Sequence, residues 1–137
     1  MALAIIVTLE KDLPASVAYA KAKTGKALAR ESDRLDVAAR GKRVPSLIAL
    51  MSESHAALRA QMEAAGIDPT TMRLPPEQWH SASDGLTTVR ALSDYVTANL
   101  NDFKMPNPIL RDLKAAETLL VAAEAAGVKF HFTKTEL

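Results

Sequence analysis

Cysteine is absent from the 137 residues, glycine numbers only 5, and aromatic residues make up 4% of the chain. Without cysteine there is no disulfide framework, no thiolate metal ligand and no cysteine nucleophile. The few glycines form no glycine-rich loop of the kind whose backbone cradles a phosphate. No stretch approaches the ~20 apolar residues that a helix needs to cross a bilayer. Neither sign of charge dominates: 17 basic and 16 acidic side chains leave a net +1. A chain so close to neutral has little long-range attraction for nucleic acid or for an anionic membrane.

What is present is ordinary in bulk and skewed in detail. Hydrophobic residues reach 48% and charged residues 24%, the balance of a soluble globular protein. The length matches the commonest size of one domain, so a single domain over 1–137 is expected. Alanine is the commonest residue, which favours helix and close helix packing. The apolar start, Met1 to Glu10, lacks the positive flank and cleavage pattern of a signal peptide. The expectation is a cytoplasmic protein.

Residues 3–9 read as a strand, because Ile5, Ile6 and Val7 are β-branched and stiff at χ1. Both its faces are mostly apolar, so cover is expected on both sides. A helix over 14–23 opens at Pro14 and is interrupted at Thr24-Gly25. A second, over 26–40, turns Leu28, Ser32, Leu35 and Ala39 to one stripe, with Gly41 placed to end it. Residues 46–51 suit a buried helical turn or a short strand, and Leu, Ala and Met favour the turn. A helix over 54–65, capped by Ser52 or Ser54, presents Ala57, Leu58, Met62 and Ala65 inward, and Gly66 ends it. Residues 66–80 are irregular, with Pro69, Pro75, Pro76 and the only tryptophan; so long a loop is uncommon unless functional or tightly packed. Ser81 caps a helix over 82–100 that buries Leu86, Val89, Leu92, Val96 and Leu100. Asn107-Pro108 starts the last helix, 108–126, which buries Ile109, Leu113, Ala116, Leu120 and Ala123 and ends at Gly127. The closing strand alternates: Val128, Phe130 and Phe132 face in, and Lys129, His131 and Thr133 face out.

This order predicts a mostly helical α+β fold. The N- and C-terminal strands form a small sheet packed on about four to five helices. With both faces apolar, strand 3–9 suits an inner position. A second copy extending the sheet would supply its other neighbour, which makes a homo-oligomer through the sheet edge the expected self-association.

Few constellations carry chemistry. Glu77 and His80 have the Glu-x-x-His spacing of which bundle metal sites use two copies. Here one copy follows two prolines, and no metal or cofactor is assigned. The simpler reading has Pro76 start a turn, Trp79 fill the core against helix 82–100 and His80 stand at that helix's entrance. Ser52, Glu53 and His55 suggest a hydrolase, but residues two apart on a helix diverge by about 200°, and no nucleophile elbow is present. Capping suits the serines better. The polar face at His131 reads as an edge guarded against aggregation, with cover by a partner as the alternative. The stripe Lys23, Lys26, Arg30 and Arg34 is the best electrostatic feature. Residues 21–43 hold eight basic and three acidic side chains, a net +5, which leaves about −4 elsewhere. No aromatic is interleaved to stack on bases, so a solvated helix face is favoured over nucleic acid. The scattered methionines, Met51, Met62, Met72 and Met105, read as gap-fillers.

The sequence therefore favours a non-catalytic interaction or binding module with a protein partner or a second copy. The alternative is a small enzyme or ligand-binding protein with a site near residues 77–84. The surface for either is drawn from Glu77, Trp79, His80 and Arg90: a titratable pair and an aromatic on a long irregular segment, facing a cation on the next helix.

Overall fold

A computed structural model describes residues 2–71, 73, 74 and 76–136. The expectations placed on Met72, Pro75 and the Ala57 side chain fall outside the described residues. The β-branched run forms β1 (Leu3–Leu9), and the alternating C-terminal segment forms β2 (Phe130–Glu136). They pair antiparallel, in a register running from Leu3↔Glu136 to Leu9↔Phe130, so the two ends of the chain make the sheet. Between them lie α1 (Pro14–Ala22), α2 (Lys26–Arg30), α3 (Ser32–Gly41), α4 (His55–Ala64), α5 (Ala82–Ala98) and α6 (Pro106–Ala126). The fold is α+β and 58% helical, as the element order predicts.

The helix count exceeds the expected four to five because the predicted 26–40 helix breaks at Glu31, which serves as C-cap of α2 and N-cap of α3. Gly41 stays inside α3, and Arg43 takes the left-handed backbone instead (φ 58). α6 begins at Pro106, ahead of Asn107-Pro108, since proline at the first turn sacrifices only an unbonded N–H. Residues 46–51 combine both readings. Leu50 N–H turns back on Ser46 and Leu47, then Met51 makes a single parallel bridge to Phe132.

The core lies between one face of the sheet and the α5–α6 pair. Val89, Leu92 and Val96 of α5 and Ile109, Leu113 and Leu120 of α6 are buried against Ile5, Phe130 and Phe132. Gly85 makes this approach possible: a Cβ there would lie 2.5 Å from Phe130 Cζ. Leu100, expected inside, is exposed because α5 stops at Ala98 and a 3₁₀ turn (Leu100–Asp102) redirects the chain. In α4, Leu58 and Met62 are only half-buried and Ala65 is exposed, so this helix lies at the periphery.

Both sheet edges are met from within the chain. On β1, Gly25 O accepts Ile5 N–H at 3.0 Å and Tyr19 Oη accepts Val7 N–H at 2.9 Å. On β2, Leu50 O accepts Phe132 N–H, Phe132 O accepts Ser52 N–H, and His80 and Phe130 exchange two bonds of 2.8 and 2.9 Å. A second copy is not needed to satisfy these positions. Among the described residues, no helix is long and apolar enough to cross a membrane.

Candidate functional site

The second face of the sheet carries the polar cluster. Thr8, His131 and Thr133 lie on it, since strand residues two apart share a face and Thr8 stands opposite His131. The alternation of β2 assigns His131 and Thr133 to solvent, and the structure corrects this: His131 is 0% exposed and Thr133 is buried. The irregular segment 76–80 covers His131, while Thr133 lies beside Ser54 and Leu58. His80 pairs with Phe130 through the backbone, and this fixes the segment along the outer edge of β2. Trp79 then lays its ring on the His131 imidazole, centroids 4.5 Å apart and planes inclined by 43°. Glu77 brings a carboxylate oxygen to 2.5 Å from His131 Nε2.

The hydrogen bonds form an unbroken chain. His131 Nε2–H donates to Glu77 Oε2, and Nδ1 stands 3.1 Å from both Thr133 Oγ1 and Phe132 O. Thr133 Oγ1 is 2.7 Å from Thr8 Oγ1. The other Glu77 oxygen accepts the His55 backbone N–H at 3.4 Å, at the start of α4. A carboxylate there also complements the positive end of the helix dipole. Gln78 N–H donates to Ser52 Oγ at 2.8 Å and ties the segment to the chain before α4.

Of the four residues singled out from sequence, Glu77 and Trp79 meet around His131. His80 and Arg90 do not join them. Glu77 lies on irregular chain and His80 in a bridge to Phe130, not on a helix, so the helical premise of a shared metal ion fails. The His80 ring lies by Phe130, centroids 6.3 Å apart, with Nε2 buried and without a hydrogen-bond partner. Arg90 is turned to α6, where Nε is 3.3 Å from Glu117 Oε2. Trp79, expected to pack on α5, packs on the sheet instead, and remains half-buried. Among the described residues no group of three or more His, Asp or Glu is arranged to hold a metal ion.

Sequence reasoning missed His131 as the centre of the cluster, and with it Thr8 and Thr133. The available signal was the long irregular segment itself, which needs a surface to pack on. Ser52 is an acceptor for a backbone amide and lacks a triad's geometry. The basic stripe is exposed, Lys23 at the end of α1 and Lys26, Arg30 and Arg34 on α2 and α3, and Arg34 pairs with Glu31 at 3.7 Å and donates to the Asp102 carbonyl. Comparison with family models, with curated proteins and with solved structures found no match to this chain.

Proposed function

We propose that the protein is a non-catalytic binding module. One observation carries this reading: in the acid–base pair Glu77–His131 the imidazole is fully buried and the carboxylate largely so, and their hydrogen-bonding atoms are engaged by the chain's own groups. A general base must lie within hydrogen-bond reach of the proton it removes. Here the imidazole is under an indole, and what the pair's bonds do is hold segment 76–80 to the sheet through His131 and to the start of α4 through Glu77.

A protein partner, or a second copy, meets the molecule on its exposed apolar helix positions rather than along the sheet edge, whose central amides are bonded internally. Val37, 63% exposed on α3, borders a groove floored by Tyr95 and Phe103. The cysteine-free composition is compatible with a cytoplasmic setting.

Catalytic groups are held at a cost to stability, and replacing them commonly stabilises a fold. The test is the thermal midpoint of Glu77→Gln and of His131→Gln. A fall in both agrees with a structural pair and the binding reading. A rise in either identifies a strained catalytic pair and overturns it.

A further inference from the structure

A cavity of about 300 Å³ lies between β1 and α1, at the small end of the range for ligand sites. Val7, Leu9, Ala20 and Leu119 give it an apolar wall. Its neutral polar groups on the α1 side are hydroxyls with protons to give. Ser16 Oγ accepts Leu13 N–H at 3.0 Å, and Tyr19 Oη accepts Val7 N–H at 2.9 Å. Neither hydroxyl donates its own proton to an acceptor among the described residues. Thr24, 7% exposed, adds a hydroxyl with no hydrogen-bond partner. It stands beside Tyr19 and acts to lower the phenol's pKa, while the Asp112 carboxylate acts to raise it. Burial acts more strongly on Tyr19 and raises its pKa, so the phenol remains a donor. Lys23 closes the rim, exposed, on left-handed backbone (φ 49) and without an acidic partner among the described residues.

We infer that this cavity binds a small carboxylate with an apolar tail, an assignment that rests on the binding-module reading. A carboxylate offers about four lone-pair sites, which suits a set of hydroxyl donors and one ammonium. The tail displaces water from the wall made by Val7, Leu9 and Leu119. A purely cationic ligand would find one carboxylate, Asp12, but would leave the hydroxyl donors and Lys23 unmatched, and a phosphate dianion would find a single cation with Asp12 on the same rim. Asp12, also unpaired among the described residues, favours a carboxylate that bears an ammonium beside it: an α-amino acid with an apolar side chain. Lys23 takes the carboxylate and Asp12 the ammonium.

The experiment titrates the isotope-labelled full chain with leucine, with isocaproate (the same skeleton without the ammonium) and with leucinamide (no carboxylate), following backbone amide resonances. Saturable shifts of Val7, Ser16, Lys23 and Thr24 with both acids, several-fold tighter for leucine, and none with leucinamide, are expected. Lys23→Gln, at an exposed position that spares the fold, weakens binding about tenfold through loss of one charge-assisted hydrogen bond. The assignment is overturned if neither acid shifts these amides at millimolar concentration, if leucinamide shifts them equally, or if Lys23→Gln leaves the affinity unchanged. Isocaproate binding tighter than leucine overturns the role given to Asp12 and supports the carboxylate. Failure of all three ligands leaves the module reading intact, because that reading is decided separately by the Glu77 and His131 melting temperatures.

Discussion

Glu77 and His131, separated by 54 positions in the chain, meet at 2.5 Å through Oε2 and Nε2. The contact fastens an irregular segment to a strand face that would otherwise be wet. A buried pair of this kind is costly to break one partner at a time, because the survivor keeps its desolvation without its bond.

A double-mutant cycle measures that coupling. Glu77→Ala is expected to cost about 3 kcal/mol, at the low end for a buried pair, since the carboxylate keeps some contact with water. His131→Gln costs a similar amount. The double variant should fall short of the summed losses by about 1 kcal/mol or more in urea denaturation. Simple additivity would show that the two side chains act independently.

Tyr19 makes the fold sensitive to alkali. Burial raises the pKa of its phenol, so the folded chain holds that proton more tightly than the unfolded one. The resulting stability is complete below the unfolded value of about 10 and is lost as pH rises through the folded value. Tyr19→Phe is expected to flatten this alkaline loss. At neutral pH it also costs about 1–3 kcal/mol, because Val7 N–H loses its acceptor. Denaturation curves on both sides of pH 10 check both effects.

Gly25 stands at φ 113, where a side chain is strained, and a Cβ would come within 2.4 Å of Ile5 O. The backbone atom it would meet cannot swing aside. Gly25→Ala is expected to cost about 3 kcal/mol, with the backbone strain alone of order 1–3. Hydrogen exchange at the Ile5 amide, which Gly25 O accepts, should accelerate with it.

Gly85 poses two effects of opposite sign. Alanine inside the first turn of α5 gains up to about 1 kcal/mol of propensity over glycine. Its Cβ, 2.5 Å from a fully buried Phe130 ring, forces overpacking of about 1–3 kcal/mol. The clash should win, so Gly85→Ala lowers the melting temperature. Gly85→Ala combined with Phe130→Leu should recover part of the loss.

Asp112 on α6 is buried, and its Oδ2 accepts the Ala27 N–H at 3.0 Å, at the start of α2. Asp112→Ala is expected to cost about 1–3 kcal/mol through that unpaired amide. Faster exchange at Ala27 would localise the effect.

Local patterns in the chain are enough to specify the strands at the two ends, the helical middle and the buried stripes of α5 and α6. These are local signals: β-branched runs and apolar periodicities act over a few residues, and capping at Ser81 is complete within one turn, with Asp84 N–H on Ser81 Oγ. The site was only half legible. Glu77 and Trp79 stood out as a carboxylate and an aromatic on an irregular segment. His131 was assigned to the wrong environment, because alternation distinguishes the two faces of a strand but not what covers the second one. Tertiary structure alone decided that. It placed residues 76–80 over His131, through backbone bonds from His80 to Phe130, and supplied the edges of the sheet from Gly25, Tyr19 and Leu50. Such contacts join residues far apart in the chain. Their formation depends on where the α5–α6 pair and the loops leave room, and no periodicity encodes it.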